Sequence, residues 1–311
     1  MKTNTVKYAG VIALFCFFPL MGQGQHWSAF RVDTLGYSTD VRLKEISGLR
    51  SSRLNANRFW VHNDSGDAPK IYALSSSMKV EREFLLKGAQ HVDWEDMAGG
   101  AYQGKPHLFI GDIGDNAARR SSIVVYSVEE PQIGDSAQLA ELLPAAIELV
   151  YPDGPRDAEA LLFDERSEEL LIVTKRDEKA RVYAIDLKTT LDSGPNTLEF
   201  IGVLKIDPSP QDLAPMRRYF HYITAADQHE NGSVIIKNYF RTWLYENPEK
   251  KPLRDLLVSE TPTQLPYNLE QQGEAMAFDL DGKGYYTTSE CADDGTAHVP
   301  QPLVYYYYYP N

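Results

Sequence analysis

Apolar positions in this chain gather in short runs bounded by Gly, Asp, Asn and Pro, and the runs return in ordered sets. Phe59-Trp60-Val61-His62 is followed by Ile71-Tyr72-Ala73-Leu74, and Leu108-Phe109-Ile110-Gly111 by Val125-Tyr126-Ser127-Val128. The same order recurs at 170–173 and 182–185, at 234–237 and 243–245, and at 284–287 and 303–306. A tyrosine marks the second run of every set. Runs this short, rich in β-branched and aromatic residues, predict strands. Each set is preceded by a small pattern: Glu45-Ile46-Ser47-Gly48-Leu49, Asp93-Trp94-Glu95-Asp96-Met97, Asp157-Ala158-Glu159-Ala160-Leu161, Ile223-Thr224-Ala225-Ala226-Asp227 and Gln272-Gly273-Glu274-Ala275-Met276. A further strand is predicted to close the first four sets, at 80–86, 146–151, 198–205 and 253–259.

Four strands per unit, with unit openings 48, 64, 65 and 50 residues apart, predict an all-β chain folded as a five-bladed β-propeller over residues 28–311. The fifth unit lacks a fourth strand at its C-terminal end. Phe30-Arg31-Val32-Asp33-Thr34-Leu35 precedes the first unit and is expected to supply it, which removes a free sheet edge. A six-bladed alternative would need a blade between residues 129 and 156. The Gln138-Leu139-Ala140-Glu141-Leu142-Leu143 stretch there is better read as a short helical insertion. The tyrosine run from Tyr305 to Tyr309 is expected to pack against the N-terminal closing strand.

Residues 1–24 carry a basic start, an apolar run from Tyr8 to Met21 interrupted by Pro19, and small residues at Gly22 and Gly24. That order predicts a secretory signal peptide cleaved near Gly24, and the run is too short for a good membrane span. A lipid anchor at Cys16 would need a small residue where Phe15 stands. Cleavage would remove Lys2 and Lys7 and take the formal charge from −13 to −15. So acidic a chain is a poor partner for nucleic acid. Cys291 would be the one remaining thiol, so no internal disulfide is expected.

The propeller reading gathers one oxygen-bearing residue per blade around a common axis: Ser47, Glu95, Glu159, Thr224 and Glu274. Asp93, Asp96, Asp157 and Asp227 add acid nearby. Buried carboxylates facing one another repel unless protons or a cation neutralise them. Carboxylates and hydroxyls suit a hard cation, Ca²⁺ ahead of Mg²⁺, and no His or Cys cluster offers zinc spacing. A hydrogen-bonded scaffold without metal is the alternative.

With these residues the chain resembles the calcium-activated nucleotidases, secreted apyrases built on a five-bladed propeller. That family presents Ser, Glu, Glu, Ser and Glu to a calcium ion in its central tunnel, and the five residues above stand at the matching positions. His62-Asn63-Asp64-Ser65-Gly66 is similar to the family's acidic turn, Gly111-Asp112-Ile113-Gly114 to its glycine-rich turn, Lys175-Arg176 to its basic pair, and Lys237 to a basic residue of its fourth blade. The loop from Asp115 to Ser122 is shorter than the insertion nucleotidases carry there. The chain also resembles exported bacterial propellers with no settled function, through Asp93-Trp94-Glu95-Asp96 and Gly111-Asp112-Ile113-Gly114-Asp115-Asn116.

The resemblance implies Ca²⁺ as cofactor and a small phosphorylated molecule as partner. The turns after the second strands are expected to share one mouth of the channel. There Asn116, Lys175, Arg176, Lys237 and Arg241 would hold phosphate oxygens, and Asp64 or Asp112 would orient the attacking water. Arg119-Arg120 is expected on an exposed loop with no special role. Two other classes remain open: a calcium-stiffened binding module without turnover, and a glycoside hydrolase using Asp64, Asp112, Glu95 and Glu159. The latter needs an aromatic platform, for which Trp60 and Trp94 are candidates although both are expected in the core.

Overall fold

A computed structural model of the chain describes residues 30–134, 139–190, 194–208, 217–291 and 301–308. The signal-peptide reading and Tyr309 fall outside these residues. Five small sheets form the blades of a five-bladed propeller. The inner strands are Ile46–Ser51, Trp94–Tyr102, Ala158–Asp164, Ile223–Gln228 and Ala275–Phe278. Each packs against the next, and the last packs against the first, so the ring is closed. Among the described residues no helix is long and apolar enough to cross a membrane.

The buried apolar side chains fall into five clusters, one at each interface between neighbouring blades. Alternation along the strands produces this division, because successive side chains leave a sheet on opposite faces. Trp60, Ile71 and Ala73 pack toward blade two, whereas Phe59, Val61, Tyr72 and Leu74 pack toward blade five. Both faces are covered, which is why the strands read as unbroken apolar runs.

The N-terminal strand Phe30–Ser38 completes blade five, running antiparallel to Gln301–Tyr308 from Phe30↔Tyr308 to Ser38↔Gln301. Its bulge between Thr34 and Gly36 lies against the outer turn of blade one. A Cβ on Gly36 would stand 2.6 Å from backbone atoms of Ser77, so no side chain fits there. The tyrosine strand pairs with the closing strand as expected, Tyr308 meeting Phe30 at 5.6 Å, but two of its rings turn to the other neighbour: Tyr306 stacks on Tyr285 at 4.8 Å and Tyr305 on Tyr286 at 4.6 Å.

Two expectations about connecting segments are corrected. The stretch read as a helical insertion contains a strand, Ala140–Leu142, added in parallel to the outer strand of blade one, Val80–Leu86. A helix there would have paired Leu139 with Leu143 one turn on, yet both are exposed. The unpaired edge of blade one takes the segment's backbone instead. The predicted fourth strand at 253–259 is a helix, Leu253–Ser259, following Pro252. Its buried residues, Leu253, Leu256 and Leu257, have helical spacing and pack on the outer strands of blade three. Blade four is completed by Thr263–Leu265 instead.

These segments share a logic. In blade two the link between third and fourth strands lays Ala140–Leu142 on blade one. In blade three it lays Asn196–Thr197 on the outer strand of blade two. In blade four it lays the helix on blade three. Each of the first three blades is thus finished by its successor.

Candidate functional site

The ring residues owe their placement to a repeated irregularity. Strand pairing skips Glu95 between Trp94 and Asp96, Glu159 between Ala158 and Ala160, and Thr224 between Ile223 and Ala225. In blade one it skips Ser47 and Gly48, and Glu274 sits just before its strand. A β-bulge frees one residue from the ladder and re-aims its side chain. All five side chains are buried, with exposures between 0% and 5%.

Their partners divide them. Ser47 Oγ donates to Glu95 O and Thr224 Oγ1 to Gly273 O at 3.1 Å, so the two hydroxyls tie neighbouring blades. Lys175, one residue past the second strand of blade three, reaches into the ring. Its Nζ donates to Glu159 Oε1 and to Tyr239 OH at 2.8 Å, and lies 3.5 Å from Glu274 Oε1. Tyr239 OH donates in turn to Glu274 Oε1 at 2.5 Å.

Three further acids of the mouth form a cluster of their own. Carboxylate oxygens of Asp64, Asp93 and Glu95 lie within 4.8 Å of one another. Asp64 Oδ1 and Glu159 Oε2 are buried and accept no hydrogen bond. Burial and then the Asp93 charge push the Asp64 carboxyl up to about 8. Burial holds Glu95 well above the usual carboxylate range, helped by the Glu159 charge. Burial, then the Glu274 charge, raises Glu290 to about 9. Gly114 borders the cluster so closely that a Cβ there would stand 2.5 Å from Asp93 Oδ2.

The remaining site expectations separate. Asp112, only 1% exposed, pairs with Arg120 at 2.7 Å and accepts from the backbone of Asp93 at 3.3 Å. It stands behind the acidic cluster and positions it. Arg120 is therefore not the idle loop residue expected: it also donates to Gly114 O at 2.8 Å. The Asp115 carboxylate accepts from the backbone of Arg119 and Arg120 at 2.6 and 2.7 Å, which folds that loop back over the sheet. Asn116 is exposed and shares a groove of about 110 Å³ with Arg156, Asp157 and Arg176. Arg176 is paired with Asp157 and lies over the Tyr222 ring. Lys237 is fully buried, donates to Gly273 O at 2.5 Å and stands 3.4 Å from Glu270. Arg241 lies over Phe220 and donates to Gln264 on the outer strand of blade four.

Two acids expected beside the metal cross between blades instead. Asp96 Oδ2 accepts from Leu161 N at 2.9 Å and Ala226 N at 3.3 Å, and burial raises its carboxyl to about 7. Asp227 Oδ2 accepts from Phe278 N at 2.7 Å, while its other oxygen holds Arg50. Arg50 also donates to Gln228 O at 3.0 Å, and Gln228 Oε1 accepts from Phe163 N at 2.8 Å. Arg50 lies three residues further along its inner strand than Ser47, so this network plugs the channel below the mouth. Sequence reasoning missed Arg50; an arginine inside an otherwise apolar inner strand was the signal for it.

No protein-family model and no curated protein sequence matches the chain. Solved structures do share its outline. A luciferin-regenerating enzyme is similar at 11% identity over 89% of this chain and 95% of that one, with a TM-score of 0.45. A structural-genomics protein of unknown function from Bacteroides thetaiotaomicron is similar at 13% identity over 89% and 76%, with a TM-score of 0.45. The PQQ-bound aldose sugar dehydrogenase of Streptomyces coelicolor is similar at 11% identity over 88% and 98%, with a TM-score of 0.41. None of these likenesses bears on what this chain acts on.

Proposed function

We propose that this protein is an exported propeller that binds Ca²⁺ at Asp64, Asp93 and Glu95 and hydrolyses a phosphoester or phosphoanhydride at the same mouth. The observation that carries the cation is the unpartnered, buried Asp64 Oδ1 inside a cluster of carboxylates. An all-carboxylate cluster with no His or Cys member fits a hard cation. A bound Ca²⁺ would polarise a phosphoryl oxygen and offset its charge. Arg176 and Asn116 offer donors at the adjoining rim, and Asp64, as a ligand of the ion, would orient a water bound beside it. Asp112 is committed to Arg120, which leaves Asp64 as the better base.

The depth of Lys175 and Lys237 favours a second reading, a calcium-stiffened binding platform without turnover. Trp60 and Trp94, the two candidate platforms for a glycosidase, are fully buried and offer a sugar no face.

Thermal unfolding in chelator and then in excess Ca²⁺ tests the cation. Saturation at a hundredfold over Kd is expected to stabilise by about 2.7 kcal/mol. No saturable shift would remove the cation from the reading. Phosphate release from a panel of nucleotides and phosphate esters, lost in Asp64→Asn, separates the hydrolase from the platform.

The pH dependence has a definite sign. In chelator, Asp64 keeps its proton in the fold up to about 8, whereas the unfolded chain loses it near about 4. The unfolded state therefore binds fewer protons across that window, and stability falls as pH rises through it. With Ca²⁺ the deprotonated form is wanted, so the calcium-induced rise in Tm is expected to grow over the same window. Parallel Tm curves with and without Ca²⁺ would contradict this.

A further inference from the structure

We infer that Lys175 is the resident cation of the Glu159–Glu274 half of the mouth, and that a divalent ion is confined to the Asp64–Asp93–Glu95 half. The second clause rests on the calcium reading above; the first stands without it. A symmetric ring would make Glu159 a metal ligand and Lys175 a bystander, and the geometry exchanges those roles.

Lys175 is 3% exposed, and its surroundings are those of a bound ion. Glu159 Oε1 and Tyr239 OH accept from its ammonium, Glu274 Oε1 stands 3.5 Å away, and the Tyr239 ring lies 5.1 Å from Nζ. The lysine backbone is pinned as well, its N–H donating to Asp157 O at 3.0 Å. Buried carboxylates need a charge partner. An ammonium on the chain supplies one that dilution and chelators do not remove. A Ca²⁺ ion shared by all five ring residues would have to enter where this ammonium already lies, against like charge. The unsatisfied Asp64 Oδ1 belongs to the cluster with Asp93 and Glu95, to which Lys175 makes no hydrogen bond. Arg176 approaches Glu159 Oε1 only to 3.9 Å and is committed to Asp157, so it does not replace Lys175.

The test is calorimetric titration of chelator-stripped protein with CaCl₂, in wild type, Lys175→Met, Glu159→Gln and Asp93→Asn. Lys175→Met leaves two facing carboxylates without their cation and is expected to take up one more Ca²⁺ per chain than wild type. Glu159→Gln is expected to keep the wild-type stoichiometry with Kd changed by less than about threefold, under about 0.7 kcal/mol. Asp93→Asn is expected to remove the wild-type site. Unchanged stoichiometry and affinity in a folded Lys175→Met would overturn the inference. So would loss of Ca²⁺ binding in Glu159→Gln, which also decides the matter if Lys175→Met does not fold. If wild type binds no Ca²⁺, the calcium reading fails; a gain of one ion in Lys175→Met then still supports the lysine's role, and no gain overturns it.

Discussion

Arg50→Met is expected to destabilise the protein by about 3–5 kcal/mol, more than any surface change. The substitution keeps most of the side-chain volume, so the loss is not one of packing. It leaves the Asp227 carboxylate, 2% exposed, facing the channel interior without its guanidinium. Asp227 cannot turn to water, because its oxygens also accept from the backbone of Gln228 at 2.8 Å and Phe278 at 2.7 Å. The bond from Phe278 ties the inner strands of blades four and five. A double variant, Arg50→Met with Asp227→Asn, removes both charges and retains an oxygen for Phe278 N. It is expected to lose less than the single variant. Urea unfolding of the three proteins measures the difference, and a double variant that is worse than Arg50→Met would show that the charge pairing is not what matters.

Gly114→Ala is expected to abolish the calcium-induced rise in Tm while leaving stability in chelator within about 1 kcal/mol. The added methyl falls on the carboxylate ends of Glu95 and Asp93. Those ends can swing aside, so the backbone need not move and the fold survives. Swinging aside disperses the oxygens that would surround a cation, and a hard ion tolerates few lost ligands. Thermal scans with chelator and with Ca²⁺ check both halves. A variant that still responds to Ca²⁺ like wild type would place the ion elsewhere.

The blades were legible because their signal is local. An apolar run covered on both faces looks the same in every unit, and the closing strand followed from a count that came out one strand short. The five ring positions were legible for a related reason: each stands at the entry to an inner strand, and four of them lie in a bulge. What could not be read was which neighbour satisfies which oxygen. Lys175 and Tyr239 come from blades three and four, and only their spacing around the axis brings both to Glu274. Asp112 and Arg120 lie eight residues apart, yet the turn built by Asp115 decides that they meet. The helix at 253–259 was misread because Leu256-Leu257-Val258 offers both an apolar strand run and a helical stripe. The outer face of blade three decides between them, and it is distant in sequence.

The overlap between successive blades bears on how this chain can be made. While it emerges from the ribosome, blade one has no cover for its outer edge until residue 142 has been synthesised, deep inside blade two. Blade two waits likewise for residue 197, and blade three for residue 259. Through the first three blades a nascent chain therefore carries no finished blade at its growing end, and the exposed edge moves along with synthesis. The same overlap constrains the gene. Deleting blade two, three or four at its strand boundaries would strip the cover from the one before it.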